Sequence, residues 1–193
     1  MNLKTASIVK LPSLAAAPLL LGWHLCRQTP DGTIKLKIVE TEAYHQDDPA
    51  SHSYRGNTGR TWPMFEAGGH LYVYFTYGMH YALNIVTGAK GVGEGVLVRA
   101  GEPVSGIDIM IKNRGTQVTK NLASGPGKLA QALGIRDTKL SGQPLGKTAI
   151  WLEPPKEPIK KADIVIGPRV GVSRAAEALA RFYIRANPYV SKL

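Results

Sequence analysis

Residues 71–86 read Leu-Tyr-Val-Tyr-Phe-Thr-Tyr-Gly-Met-His-Tyr-Ala-Leu-Asn-Ile-Val, and no other stretch limits the fold as tightly. Strand alternation puts Leu71, Val73 and Phe75 on one face and Tyr72, Tyr74 and Thr76 on the other. Gly78 supplies the backbone freedom that a tight reversal needs. The pattern predicts a β-hairpin with strands over 71–76 and 81–86 and Gly78 at its tip.

The rest of the chain is mixed. Strands are expected over 23–27, 33–42, 95–99, 164–166 and 181–185, with the Pro30-Asp31-Gly32 turn joining the first two. Ile34, Leu36 and Ile38 alternate with Lys35, Lys37 and Val39, as in a half-buried strand. Short helices are expected over 15–21, from near Pro103 through Ile107, Met110 and Ile111, over 128–133 ahead of Gly134, and over 174–179. Residues 45–63 and 114–123 are polar loops, and 136–162 is irregular apart from the apolar run 149–152. A loop as long as 45–63 within a compact domain is often functional. Residues 1–13 read as a flexible N-terminal arm and 14–193 as one domain. The fold class is α+β: a single domain of mainly antiparallel β-sheet with short helices and a protruding β-hairpin.

Charge narrows the partner. The chain carries 24 Lys and Arg against 14 Asp and Glu, a net +10, which suits a polyanion or a membrane surface. Its single cysteine, Cys26, excludes an internal disulfide framework and a multi-cysteine metal site. Lys4 and Lys10 precede an apolar stretch, 14–25, in the manner of a signal peptide. Pro12 and Pro18 interrupt that stretch, Gly22-Trp23-His24-Leu25 lacks the small residues of a processing site, and a span needs roughly 20 residues. The expectation is a cytoplasmic protein with no membrane partner.

Several residues are candidates for chemistry. Glu40, Glu42 and Tyr44 share a strand face, where a carboxylate beside an aromatic platform can serve as general base; a solvated sheet edge explains the same pattern. His45, Asp47, Asp48 and His52 lack any recognised metal-ligand spacing, so no metal is expected, and His52 is read as a polar or stacking contact. Tyr72, Tyr74, Tyr77 and Tyr81 cluster around the hairpin. Cross-strand packing accounts for Tyr72 and Tyr81, whereas Tyr77 beside Gly78 is exposed and shaped to wedge between stacked bases. Asn84, between Leu83 and Ile85, either holds a turn or reads a polar edge in a pocket. Arg99 wants a carboxylate, with Glu42 and Glu102 as candidates. Among the scattered cations, Arg55, Arg60, Lys128 and Arg174 are candidates for contact with a nucleic-acid backbone.

The runs IVETEAY (38–44), LYVYFTYGMHYALN (71–84), VLVRAGEP (96–103) and GPGKLAQALGI (125–135) resemble the alkyladenine, or 3-methyladenine, DNA glycosylases. HS (52–53), MF (64–65), RVGV and RFYIR follow in the same order, and together these pieces span most of the chain from about residue 15. The resemblance implies a monofunctional base-excision enzyme without a cofactor. It implies a bacterial-type monomer that approaches damaged double-stranded DNA from the minor groove and flips a purine into a pocket. On it, Glu42 matches the general base and Arg99 the arginine near the catalytic water. The carbonyl of Val172 matches that water's other partner. Tyr44, His52 and Tyr74 match the residues that sandwich the flipped base, Asn84 the residue that disfavours guanine, and Tyr77 the intercalating residue. Tyr54, Trp62, His80 and Tyr81 depart from the mammalian pattern and bear on substrate breadth.

The chemistry agrees with these roles. Alkylation at N3 or N7 places positive charge on a purine and weakens its glycosidic bond. Aromatic faces attract such a cation with about 0.5 to 2 kcal/mol each. An ionised Glu42 would stabilise the developing sugar cation and take a proton from the attacking water. No lysine adjoins Glu42 in sequence as a Schiff-base nucleophile, so no lyase step is expected. Rival readings are a nucleic-acid-binding protein without chemistry and an RNA- or ribosome-associated protein.

Overall fold

The computed structural model describes residues 3–192. The 14-residue strand β2 (Gly32–His45) organises the molecule. Its first half pairs with β1 (His24–Thr29) across the turn at Pro30-Asp31, and from Lys35 to His45 it pairs with β5 (Glu94–Ser105) on the other side. The hairpin β3 (Leu71–Thr76) and β4 (His80–Val86) extends the sheet beyond β5. Strand β6 (Ile150–Glu153) adds to β1, while β7 (Ile164–Gly167) and β8 (Arg181–Ile184) pair with each other and β8 docks on Glu40–Glu42 of β2. Every one of these pairings is antiparallel, as the sequence predicts for an α+β domain.

Helices α1 (Leu3–Val9), α2 (Ser13–Leu19), α3 (Ile107–Arg114) and α4 (Pro126–Ala132) flank the sheet. The core runs from Ala16, Leu20 and Leu25 through Ile34, Ile38 and Leu83 to Met110, Leu129 and Leu133, all buried. Burial of each large aliphatic side chain stabilises by about 1.5 to 3 kcal/mol. Cys26 lies inside this core as a free thiol, pushed up to about 12 by burial, and is held inert. Among the described residues no helix is long and apolar enough to cross a membrane.

Three expectations are corrected. The segment read as a loose arm contains α1: Val9 is fully buried and its carbonyl accepts from Gly88 N at 2.9 Å. Buried Glu94 then ties down the start of α2, accepting from Ser13 N at 2.6 Å, a negative charge at a helix N-terminus. The helix expected from near Pro103 begins only at Ile107, because β5 continues to Ser105 and Gly106, with φ 69°, makes the break. Residues 174–179 are not helical. They are mostly exposed and offer no apolar face to offset helix nucleation, and Ala175 sits at φ 44°.

Candidate active site

Two offsets in the β2–β5 ladder shape the site. Ile38 pairs with Gly101 and Glu40 with Ala100, leaving Val39 extra on β2; Thr41 then pairs with Val98, leaving Arg99 extra on β5. Such bulges re-aim side chains. Here the Arg99 guanidinium reaches both carboxylates of β2: Nε lies 3.2 Å from Glu40 Oε1, and Nη1 lies 3.4 Å from Glu42 Oε1. Glu102, the other partner considered for Arg99, instead faces Lys37 and Asn187.

Glu40 and Glu42 are both wholly buried but differently used. Glu40 is spent on structure, accepting Arg181 Nε at 2.6 Å and Ser191 N at 2.7 Å besides its pairing with Arg99. Glu42 opens on a cavity of about 620 Å³, a size typical of small-molecule sites. Its Oε1 accepts Val170 N at 2.8 Å, and its Oε2 accepts the Tyr44 hydroxyl at 2.9 Å. Burial first, then the Glu42 charge, pushes the Tyr44 phenol far above its ordinary range, so Tyr44 remains a donor. Val170 is the residue of the 168–174 loop that touches Glu42. Val172 lines the same cavity two residues on.

The opposite wall is aromatic. His52, on a 3₁₀ turn over His52–Arg55, shares a 3.0 Å hydrogen bond between Nδ1 and the Tyr72 hydroxyl. Its ring meets Tyr74 edge-on at 4.4 Å between centroids, and Tyr74 stacks on Tyr72 at 5.3 Å. Burial and nearby Arg60 push His52 down to about 4, which keeps it neutral at pH 7. Tyr72, which packing alone was expected to explain, is therefore part of the wall; the alternation that puts it on the face of Tyr74 was the available signal. Asn84 lies opposite Tyr72 in the hairpin register, is 5% exposed, and donates Nδ2 to the Tyr72 carbonyl at 3.1 Å while lining the cavity.

Above the cavity mouth stands the hairpin tip. Tyr77 is 79% exposed and takes φ 50° next to Gly78 at φ 66°, the signs of a type I′ reversal. A bulky residue there is strained. Met79, 70% exposed, shares the tip, which the sequence reading did not single out. Cations collect unevenly. Lys128 and Arg174 line the cavity; Arg60 is exposed but close enough to act on His52 and Tyr72; Arg55 is exposed and does not line the cavity. Gly127 allows α4 this position, since a Cβ there would stand 2.9 Å from the His80 ring. Among the described residues no group of three or more His, Cys, Asp or Glu is placed to hold a metal.

An antiparallel sheet that delivers a buried carboxylate to an aromatic cavity, under an exposed aromatic tip and within a basic chain, defines the class of site that can hold a flat aromatic ring beside an acid–base group. Comparison with known proteins makes the class specific. Residues 7–188 match the profile of the methylpurine-DNA glycosylases. A relative in Carboxydothermus hydrogenoformans is 50% identical over 179 residues, covering 93% of each chain. One in Methanoculleus marisnigri is 45% identical over 189 residues, covering 97% of each, and one in Chlorobaculum parvum is 46% identical over 96% of this chain and 89% of its own. All three are provisionally named 3-methyladenine DNA glycosylase. The chain belongs to the methylpurine-DNA glycosylase family, and family and fold together support glycosylase action on alkylated purines in damaged DNA.

Proposed function

We propose that this protein flips a damaged purine out of duplex DNA, approached as a monomer from the minor groove, and hydrolyses its glycosidic bond to leave an abasic site. The substrates are 3-methyladenine and, within the same pocket, 7-methylguanine, hypoxanthine and 1,N6-ethenoadenine. The observation that carries this reading is Glu42: a wholly buried carboxylate, held by two donors and an arginine, that opens on an aromatic cavity.

The wedge is Tyr77, which fills the gap left in the duplex. Flipping costs a few kcal/mol, least at a damaged or mismatched pair. His52 and Tyr74 already touch, so a base does not enter between them; it stacks with this pair on one side and Tyr44 on the other. A neutral His52 lets a cationic base stack without like-charge repulsion. Asn84 crowds the exocyclic amino group of guanine. Glu42 takes a proton from water, which attacks the anomeric carbon as the base departs; Arg99 and the Val172 carbonyl position that water. Lys128 and Arg174, with Arg60 and Arg55 farther out, meet phosphates. The reaction ends at the abasic site, with no lyase step.

The test is incubation with duplexes carrying 3-methyladenine, hypoxanthine or 1,N6-ethenoadenine, followed by alkaline cleavage at abasic sites. The reading expects strand breaks at the lesion only. Binding without breaks for every lesion would identify a module that lacks the chemistry.

A further inference from the structure

Tyr44 has a buried charge behind it. The Arg169 side chain is fully inaccessible, and its guanidinium carbon lies 4.7 Å from the centroid of the Tyr44 ring. Arg169 Nη1 donates to the Ala43 carbonyl at 3.1 Å and pairs with the Asp48 carboxylate. The buried Nε and Nη2 find no hydrogen-bond acceptor. For them the ring face is the compensating partner, a cation–π arrangement in a desolvated place. Tyr44 lines the cavity and Arg169 does not, so the ring stands between the guanidinium and whatever occupies the cavity. Asp48 is itself fully engaged: Oδ1 accepts Ala50 N at 2.9 Å and Oδ2 faces Arg169.

This arrangement has an electrostatic consequence. A cation on one face of a ring draws its π-electrons away from the other face and adds its own field through the ring. A positively charged purine stacked on the front of Tyr44 feels both effects, and a neutral purine feels neither strongly. Asp48 offsets the guanidinium and restores a nearly neutral backing.

We propose that the buried Arg169–Asp48 pair is a specificity-determining element, which acts through Tyr44 to set the pocket's preference between cationic and neutral purines. The proposal rests on the reading of the cavity as a glycosylase base pocket. Arg169 is on this account a positioning residue, and Asp48 its charge balance. One uncompensated charge about 8 Å from a cationic base, at an effective dielectric near 20, changes relative affinity by roughly ten- to thirty-fold.

The experiment measures equilibrium binding of the full-length protein carrying Glu42→Gln, so that lesions persist. Two duplexes are compared at pH 6: one with 7-methylguanine, cationic at that pH, and one with hypoxanthine, neutral. The quantity read is the ratio of the two dissociation constants, in which general changes in DNA affinity cancel. Asp48→Asn keeps the shape and the Ala50 bond but exposes the cation, and should shift the ratio against 7-methylguanine by about ten-fold. Arg169→Gln should shift it the opposite way. Arg169→Lys and the double variant Asp48→Asn/Arg169→Gln should stay near the parent ratio. Opposite shifts that cancel in the double variant are an outcome that a purely structural pair does not produce. Ratios unmoved by Asp48→Asn, or moved in one direction by both single variants, would overturn the proposal. If Arg169→Gln does not fold, Asp48→Asn alone decides. Failure of the underlying reading looks different: the parent would bind neither lesion duplex more tightly than undamaged DNA.

Discussion

Tyr44 donates its hydroxyl to Glu42 Oε2 across 2.9 Å, so two residues two apart on one strand form a single chemical unit. One end of that unit is the carboxylate proposed to activate water, and the other is a ring proposed to carry the base. The hydrogen bond ties the two together, and Arg99, at its bulge on β5, holds the other carboxylate oxygen from 3.4 Å. Tyr44→Phe therefore removes a donor from Glu42 while keeping the stacking face. The expected result is a loss of excision rate with nearly unchanged affinity for lesion duplex, checked by single-turnover kinetics beside equilibrium binding. Weaker binding at an unchanged rate would assign Tyr44 to stacking alone.

Tyr77 is held exposed, on left-handed backbone, at the end of a well-paired hairpin. Tyr77→Ser should weaken binding to lesion duplex by roughly 1 to 3 kcal/mol, the worth of one base–aromatic stack. Binding to an already unstacked site should fall much less. Equal weakening on both substrates at one salt concentration would rule out a wedge.

Asn84 has a structural tie and a proposed role, and they separate experimentally. Its Nδ2 bond to the Tyr72 carbonyl is buried, so Asn84→Ser should lower stability by about 1 to 3 kcal/mol. If Asn84 also excludes the guanine amino group, the same variant should raise removal of guanine-type bases relative to hypoxanthine. A denaturation midpoint reads the first effect and paired single-turnover rates the second. A lowered midpoint with an unchanged rate ratio would leave Asn84 only the structural role.

His52 gives the fold a pH dependence of known sign. Its native value is pushed down from 6.5 to about 4 by burial and Arg60. Between those values the unfolded chain holds a proton that the native state lacks. The contribution is therefore fully present above about pH 6.5 and is lost as pH falls toward 4, by roughly 2 kcal/mol between pH 7 and 5. His52→Gln should flatten that part of the curve, measured as urea midpoints at the two pH values. The same slope in both proteins would show that native His52 titrates normally.

Lys128 lines the cavity although it lies far from Glu42 in sequence, so the proposal of no lyase step needs its own test. Reaction with lesion duplex in the presence of borohydride should yield no covalent protein–DNA adduct. An adduct that disappears in Lys128→Ala would make the enzyme bifunctional.

Local patterns carried most of what the sequence made legible. The hairpin, β2 and the shared face of Glu42 and Tyr44 follow from period-two alternation, and α4 from Gly134 beyond its end, although it starts at Pro126 rather than at the expected Lys128. What stayed hidden depends on distant pairing. Arg99 reaches two carboxylates where Val39 on β2 and Arg99 itself on β5 are left over in the ladder. Nothing near Asp48 in sequence points to Arg169, and the two meet only when the 45–63 loop folds against the segment after β7. Glu40 and Glu42 look alike in sequence; Arg181 and Ser191, from the far end of the chain, are what commit Glu40 to structure. The false helix over 174–179 came from local composition where no partner surface rewards it.

Glu42 is the residue proposed to activate the water that releases the base. The direct measurement is single-turnover excision of hypoxanthine from duplex DNA by Glu42→Gln, with lesion binding determined on the same preparation. Binding should be retained, and the rate should fall by at least about 10² to 10⁴, the range of general-base catalysis. Excision near the wild-type rate by a folded, lesion-binding Glu42→Gln protein would contradict it.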